Sequence, residues 1–354
     1  MASTKPWIEI HARVDAIAEE WDALAERVGA SPFRRPGWFA AWTQAFGPAE
    51  LRVYGARRDG ALVGVLPLVR RGATLASPTN WHTPEFGPVV ADDEAADALA
   101  AAVLAEEPRQ LSFAFLDRAG TDFEHLRTAA DASGYLLHER TLERSPCVAI
   151  GDDWDAYLQT IRKHRRDNRR RRLRRLGELG EVTFEAEVPP ERLDELLAEG
   201  FEVEGSGWKR EHGTAILSRP ETVSFYTEIA RWAHERGWLR LYFLRVGGRP
   251  IAFELGVVCN GVGWDLKGGY DPAFRNYAPG FLLTFEVLAE LFAQGASMYE
   301  MGGADEAFKL EFTEQVRDRV ALEAFARSPV GATAWVARSY ARPLAKRAAA
   351  VVRR

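Results

Sequence analysis

The sequence predicts a mixed α/β protein built from two similar units, and three observations carry that prediction. Residues Leu51–Val65, LRVYGARRDGALVGV, align without a gap on Leu239–Phe253, LRLYFLRVGGRPIAF, with Leu, Arg, Tyr, Arg and Gly at equivalent places. Each window reads as strand, two-residue turn, strand, because Asp59-Gly60 and Gly247-Gly248 favour tight hairpins and their flanks are β-branched or aromatic. The context repeats too: two helical segments precede each window, and a further strand, a helix and a strand follow it.

The elements fall in the following order. Residues 14–28 and 38–46 read as helices ahead of the first hairpin, and 191–202 and 223–236 ahead of the second. At 354 residues with 47% apolar, the chain is long enough for two cored domains. The expected organisation is an N-terminal domain over 1–150, a basic connecting helix over 151–179, a C-terminal domain over 180–327 and an Ala/Arg-rich segment over 328–354. The opening MASTKPWIEIHARVD lacks a secretory apolar run, and no segment reaches the roughly 18 to 20 apolar residues of a spanning helix. A cytoplasmic protein is expected. Cys147 and Cys259 sit in apolar runs without CxxC or Cys/His spacing, so buried thiols are expected and no metal site is indicated.

Charge is segregated. The net charge of -5 conceals IRKHRRDNRRRRLRRL, residues 161–176, in an otherwise acidic chain. A single helix from Asp153 to Leu179 is expected, capped by Asp152 or Asp153, with Trp154, Tyr157, Leu158 and Ile161 forming its apolar stripe. Its cations suit intramolecular acidic partners, an anionic substrate or coenzyme, or RNA. No aromatic residue lies between Arg162 and Arg175, so no base-stacking interleave supports RNA. The Ala/Arg-rich end, with Trp335, Tyr340 and Leu344, suits a loosely docked helix or peripheral membrane association.

The C-terminal half carries the chemistry. Residues 266–312 read as a strand, a loop closing on Pro279-Gly280, an amphipathic helix, a short strand and a Lys-bearing turn. A helix opening straight after such a loop leaves its first N–H groups aimed at an anion. Glu254 interrupts the apolar run IAFELGVV, and Asp265 precedes Lys267 by two residues, which places both side chains on one strand face. A carboxylate in such a run is either ion-paired for structure or a general base with a raised pKa. Glu204 and Lys209 flank Gly205-Ser206-Gly207-Trp208, a loop suited to acceptor binding, with Trp208 either a stacking platform or a lid over the core. Asp305 and Lys309 follow the Gly302-Gly303 break, where an i, i+4 pair is the structural alternative to anion contact. Arginine outnumbers lysine 40 to 6, so lysines at 209, 267 and 309 suggest a need for a compact charge or a tunable amine. No Gly-x-Ser-x-Gly elbow is present, which leaves direct acyl transfer ahead of a covalent route.

Four segments, Lys163–Leu176, Phe201–Ile216 (FEVEGSGWKREHGTAI), Tyr270–Leu283 (YDPAFRNYAPGFLL) and Met301–Phe312 (MGGADEAFKLEF), resemble the GNAT acyltransferase superfamily. The likeness is to the tandem-domain branch related to Fem transferases and to cellulose-biosynthesis-type acetyltransferases. It implies two GNAT-like domains, the N-terminal one degenerate, and transfer from acyl-CoA, acetyl-CoA first, to an amine of a sugar, cell-envelope precursor or small metabolite. Arg275-Asn276-Tyr277-Ala278-Pro279-Gly280 stands where the superfamily holds the pyrophosphate by Arg/Gln-x-x-Gly-x-Gly/Ala, implying coenzyme contacts at Arg275, Asn276, Ala278, Gly280, Phe281 and Leu282. Ala278 departs from that pattern. The Fem likeness implies charged tRNA as the alternative donor and Lys309 beside substrate phosphates. A non-catalytic scaffold in exopolysaccharide assembly is the third alternative.

Overall fold

The computed structural model describes residues 5–47, 50–207, 209 and 213–341. The chain divides into two compact units, one drawn from residues 1–43, 47–144 and 317–354, the other from 44–46 and 145–316. The basic segment thus clusters with the second unit, and the stretch from 317 clusters with the first.

The first unit begins with β1 (Trp7–His11), α1 (Ala18–Arg27), α2 (Pro36–Phe46), β2 (Leu51–Arg58), β3 (Ala61–Arg71) and β4 (Thr74–Ala76). It continues through β5 (Val89–Val90), α3 (Asp93–Ala105), β6 (Gln110–Asp117), α4 (Thr121–Ala132) and β7 (Leu136–Ala149), whose end belongs to the second unit. Strands β1 to β4 pair antiparallel in sequence, and β4 pairs parallel with β6.

The second unit contains α5 (Trp154–Thr160), α6 (Lys163–Gly177), β8 (Val182–Glu185), α7 (Leu193–Gly205), α8 (Pro220–Glu235), β9 (Leu239–Val246) and β10 (Arg249–Cys259). It ends with β11 (Val262–Tyr270), α9 (Pro279–Ala293) and β12 (Met298–Glu300). Strands β8 to β11 pair antiparallel, β11 pairs parallel with β12, and β12 pairs antiparallel with the end of β7. Strand β13 (Val316–Phe325) and α10 (Pro329–Val336) then return to the first unit, where β13 closes on β6. Both units therefore run edge strand, hairpin, third strand, crossing helix, parallel strand and antiparallel closing strand. The two hairpin turns also match in backbone: Asp59 and Gly60 have φ of 52° and 83°, Gly247 and Gly248 of 56° and 81°. Both pairs have the doubly positive φ of a type I′ turn.

The helix expected to run unbroken from Asp153 to Leu179 is two helices. Ile161 and Arg162 are extended, with ψ of 129° and 132°. Ile161 is drawn into the apolar core, and Thr160 Oγ1 donates to the Tyr157 carbonyl at 2.7 Å, ending the first helix. Asp153 caps that helix through Ala156 N–H at 2.9 Å. Cys147 and Cys259 are buried thiols. Helix α10 docks by Trp335, whose indole N–H donates to the Leu137 carbonyl at 2.8 Å; Leu344 lies outside the described residues.

The site depends on close approach of α7 to the second sheet. A Cβ on Gly200 would lie 2.3 Å from the Phe253 ring, and one on Gly269 would lie 2.6 Å from the Glu204 Cα. Only glycine at those positions lets the helix seat. On the opposite face, α9 lays Phe281, Leu282, Phe285 and Leu288 into a core shared with Tyr242, Leu244 and Ala252.

Candidate active site

Strands β11 and β12 part company early. Their parallel pairing covers only Val262–Trp264 against Met298–Glu300, after which β11 continues to Tyr270. In the same place β11 bulges: Lys267 pairs with Leu255 and Asp265 with Gly256, leaving Leu266 as the extra residue. Adjacent residues of β10 face opposite ways. The bulge therefore breaks the alternation that was expected to put Asp265 and Lys267 on one face, although the two remain electrostatic neighbours. Where the parallel pairing ends, the edge of β11 is left without a ladder partner from β12, and the bulge re-aims its side chains.

Glu254 and Asp265 meet at this edge. Glu254 is 5% exposed and accepts the Tyr299 hydroxyl at 2.7 Å. Burial holds its carboxyl well above the ordinary carboxylate range, and the Asp265 charge pushes it the same way. Asp265 keeps a partly accessible edge. Burial raises it too, but the ammonium groups of Lys309, Lys209 and Lys267 oppose that rise. Of the two, Glu254 retains the proton and Asp265 ionises first. Such divergence of neighbouring carboxyls separates an acid from a base.

The lysines surround the pair from different elements. Lys309 is 8% exposed, donates to the Gly302 carbonyl at 2.7 Å and lies 3.3 Å from Glu306. The expected i, i+4 alternative with Asp305 is thus an i, i+3 pair with Glu306; Asp305 is half-buried in the same turn. Gly302 and Gly303, with φ of 59° and 60°, shape that turn, and a Cβ on Gly302 would lie 2.8 Å from the Asp265 carbonyl oxygen. Lys209 donates to the Gly268 carbonyl and lies 3.2 Å from Glu204, which is 1% exposed and accepts from Ile216 N–H at 2.9 Å. Lys267 stands 5.8 Å over the Tyr226 ring, its pKa lowered by burial and by Lys209. Trp208 lies outside the described residues. Glu204, Lys209, Glu254, Asp265, Lys267 and Lys309, separate in sequence, thus form one cluster, and the structure adds Tyr226 and Tyr299. Both are fully buried tyrosines with pKa values raised by burial and by these carboxylates. Their only sequence signal is a hydroxyl-bearing ring in an apolar run.

The start of α9 can be tested against a diphosphate. Ala278 precedes it in the left-handed region, φ 48° and ψ 60°, with no side-chain cap. The alanine standing at the pattern's middle glycine has kept the glycine conformation. Leu282 N–H donates to the Ala278 carbonyl at 3.2 Å, and Pro279 has no N–H. That leaves the amides of Gly280 and Phe281 facing out. A Cβ on Gly280 would meet only Tyr270, at 3.7 Å. Arg275 and Asn276 are exposed, whereas the Phe281 and Leu282 side chains belong to the core, so Leu282 offers neither side chain nor amide. The arginine helix α6 borders this mouth: Arg175 lies 5.1 Å over Tyr277, Arg172 5.6 Å over Phe281 and Arg169 5.3 Å over Phe285. Arg165 and Arg169 pair with Glu311 and Glu286 at 2.6 and 2.5 Å. One face of α6 is therefore intramolecular, while Lys163, Arg170, Arg171 and Arg174 are exposed.

The topologically equivalent helix of the first unit is closed. Asp92 caps α3 by accepting Ala95 N–H at 3.0 Å and is bound by Arg58. A carboxylate there excludes a second anion. The edge of β6 beyond Ser112 is filled as well, since Phe86 N–H donates to the Phe115 carbonyl at 2.9 Å.

A cavity of about 700 Å³, bordered by Tyr157, Arg162, Arg165, Glu311 and Phe312, lies apart from the carboxylates. A second, of about 730 Å³, is bordered by Arg240, Glu290 and Gln294. Among the described residues no His, Cys, Asp and Glu group has metal-binding geometry, and no helix is long and apolar enough to cross a membrane.

No curated protein sequence matches this chain significantly. Three similar solved structures are related in fold. FemX superposes with TM-score 0.59 at 14% identity, covering 91% of this chain and 98% of its own. The C-terminal domain of a protein described as a lysylphosphatidylglycerol synthetase, from Agrobacterium fabrum, gives 0.56 at 14% over 91% and 95%. L-PGS from Bacillus licheniformis gives 0.56 at 16% over 90% and 96%. Residues 162–310 match the family described as "Acetyltransferase (GNAT) domain". The matched span runs from the arginine helix through both carboxylates to Lys309, so the part of the chain similar to a GNAT acetyltransferase domain lies in the second unit.

Proposed function

We propose that the protein transfers an acyl group directly from acyl-CoA, acetyl-CoA first, to a primary amine of a sugar, cell-envelope precursor or small metabolite. The observation that carries this reading is the Glu254–Asp265 pair, unequal in acidity and ringed by three lysines where β11 leaves β12. Asp265, the more acidic member, takes a proton from the acceptor ammonium. The amine then attacks the thioester carbonyl, and the unpaired edge of β11 beyond Trp264 supplies N–H groups to the oxyanion. Asp265 gives that first proton to the departing thiolate and, ionised again, takes up the remaining amine proton, which is then released to solvent. Gly280 and Phe281 amides with Arg275 hold the diphosphate, and the lysines favour an acceptor bearing an anionic group. In this reading the first unit is degenerate, its α3 mouth capped by Asp92.

A charged-tRNA donor is the second reading, favoured by the fold shared with FemX and by the exposed cations of α6. Thermal shift separates them. Stabilisation should reach about 2.7 kcal/mol when CoA is near 100 times its dissociation constant. A shift with tRNA and none with CoA would replace the first reading by the second, and a shift with neither would leave the scaffold. Gly280→Val should abolish the CoA shift while leaving unliganded stability close to wild type.

A further inference from the structure

We propose that Lys267 anchors a carboxylate of the acceptor, which makes the acceptor a zwitterion: an amine that carries its own carboxylate, as an amino acid does. This rests on the acyl-transfer reading and narrows its acceptor. Two of the three lysines at the site are already neutralised and held. Lys209 lies 3.2 Å from Glu204 and donates to the Gly268 carbonyl, and Lys309 lies 3.3 Å from Glu306 and donates to the Gly302 carbonyl. Lys267 makes neither a hydrogen bond nor an ion pair among the described residues, and its ammonium rests over the Tyr226 ring at 5.8 Å. A half-buried ammonium in that state is costly, and burial together with the Lys209 charge pushes its pKa down. What the position lacks is an anion.

The strand edge brings this cation within reach of a molecule held by Asp265. Lys267 stands opposite Leu255 and Asp265 opposite Gly256, adjacent residues of β10, so the two side chains leave β11 on opposite faces. Lys267 takes the face of α7 and α8, where Glu204 and Tyr226 lie, and Asp265 takes the face of Glu254. Beyond Trp264 the edge of β11 has no ladder partner from β12, and there the burial changes: residues 263 and 264 are buried, whereas 265–269 all keep some exposure. A ligand seated along that edge touches both faces. Asp265 acts on both Lys267 and Tyr226 across it. One compact molecule can therefore present its ammonium to Asp265 and an anionic group to Lys267.

The neighbouring charges select the anion. Glu204 and Asp265 both act on Lys267, against the single like charge of Lys209. A singly charged carboxylate matches one ammonium, whereas a phosphate dianion would bring a second negative charge toward two carboxylates already present. An amine without an anionic group would leave Lys267 as it is.

The chain has only six lysines, so NMR of the lysine ε-CH₂ groups in isotope-labelled protein can follow each one, and the Lys267 signal is the one lost in Lys267→Arg. Without any acyl donor, glycine, β-alanine and γ-aminobutyrate are titrated beside methylamine, ethylamine, propylamine and O-phosphoethanolamine. At least one amino acid should move the Lys267 signal saturably and raise its pKa while exposed Lys5 stays in place, and the plain amines should leave Lys267 unmoved. No movement with any of the three amino acids, or a tighter response to O-phosphoethanolamine, overturns the anchor. In thiol release from acetyl-CoA, Lys267→Met should raise KM for that amino acid by about tenfold or more, the worth of a lost charged hydrogen bond, with kcat less affected and Lys267→Arg recovering part of the loss. A Lys267 response without any thiol release ends the acyl-transfer reading and keeps the carboxylate anchor. Thiol release as efficient with plain amines as with amino acids does the reverse.

Discussion

Tyr299 donates its hydroxyl to Glu254 at 2.7 Å, and both are buried. A tyrosine hydroxyl stabilises a carboxylate, yet burial and the Asp265 charge hold this carboxyl well above the ordinary carboxylate range in spite of it. Like-charge repulsion and desolvation together exceed one neutral hydrogen bond. A carboxyl raised in this way makes the stability of the second unit depend on pH.

A carboxyl whose folded pKa lies above its unfolded value binds more protons in the native state across the interval between them. Stability from Glu254 is therefore complete below the unfolded value of 4.5 and is lost as pH rises through the folded one. Within that interval the slope is about 1.4 kcal/mol per pH unit. Glu254→Gln should remove this slope and melt higher than wild type in alkaline buffer. Urea unfolding at several pH values measures it, and parallel pH dependence in the two proteins would refute a raised Glu254.

Ala278 occupies φ 48° and ψ 60°. For an L-residue with a Cβ this costs roughly 1 to 2 kcal/mol, part of which glycine returns as unfolded-state entropy. Ala278→Gly should stabilise the second unit by about 0.5 to 1 kcal/mol, whereas Ala278→Val should destabilise it. Both are read from urea midpoints. A destabilising Ala278→Gly would mean that the backbone there is not left-handed.

Charged residues inside apolar runs announce themselves, and that is why Glu254, Asp265, Lys267 and Lys309 are legible in the sequence. The doubled hairpin is legible through Asp59-Gly60 and Gly247-Gly248, where turn chemistry is local. Tyr226, Tyr242 and Tyr299 are not, because a strand or helix with a buried ring reads the same whether or not its hydroxyl meets a carboxylate. The bulge at Leu266 involves no Gly or Pro at that position and depends on the register against β10. The break at Ile161 and Arg162 depends on Ile161 being drawn into the core. The closing of β13 on β6 joins residues about two hundred positions apart, a pairing no local pattern encodes.

Gly269 faces the Glu204 Cα so closely that a methyl group would overlap it. Gly269→Ala should push α7 outward and destabilise by about 1 to 3 kcal/mol. Because Glu204 and Lys209 move with α7, the variant should also lose acceptor binding at temperatures where it remains folded. Circular dichroism melting and ligand titration on one sample separate the two effects. A variant of normal stability would show that α7 is not seated against β11.

The arginines of α6 divide by face. Arg169 is paired with Glu286 and lies over Phe285, so Arg169→Gln should cost about 0.5 to 1 kcal/mol of stability. Replacing exposed Arg170, Arg171 and Arg174 together by Gln should leave stability unchanged. If those three recruit an anionic substrate, the triple variant should weaken its binding and flatten the salt dependence. Unaltered binding and salt dependence would assign the outer face to solubility alone.

In the proposed reaction, Lys309 tunes the base, Asp265. Its ammonium is the largest influence opposing the burial that raises Asp265, and Lys209 and Lys267 act more weakly in the same direction. Removing that charge in Lys309→Met must raise the Asp265 pKa further. Activity that needs ionised Asp265 falls as pH drops through this value, so the acid limb of the rate profile should move toward alkaline pH while the plateau above it is largely retained. Loss of the Gly302 contact would act differently, lowering the rate at every pH without moving the limb. Lys309→Arg keeps the charge and should keep the limb in place. Measuring kcat/KM against pH for the three proteins decides the point: an unmoved limb in Lys309→Met would remove Asp265 from the role of base.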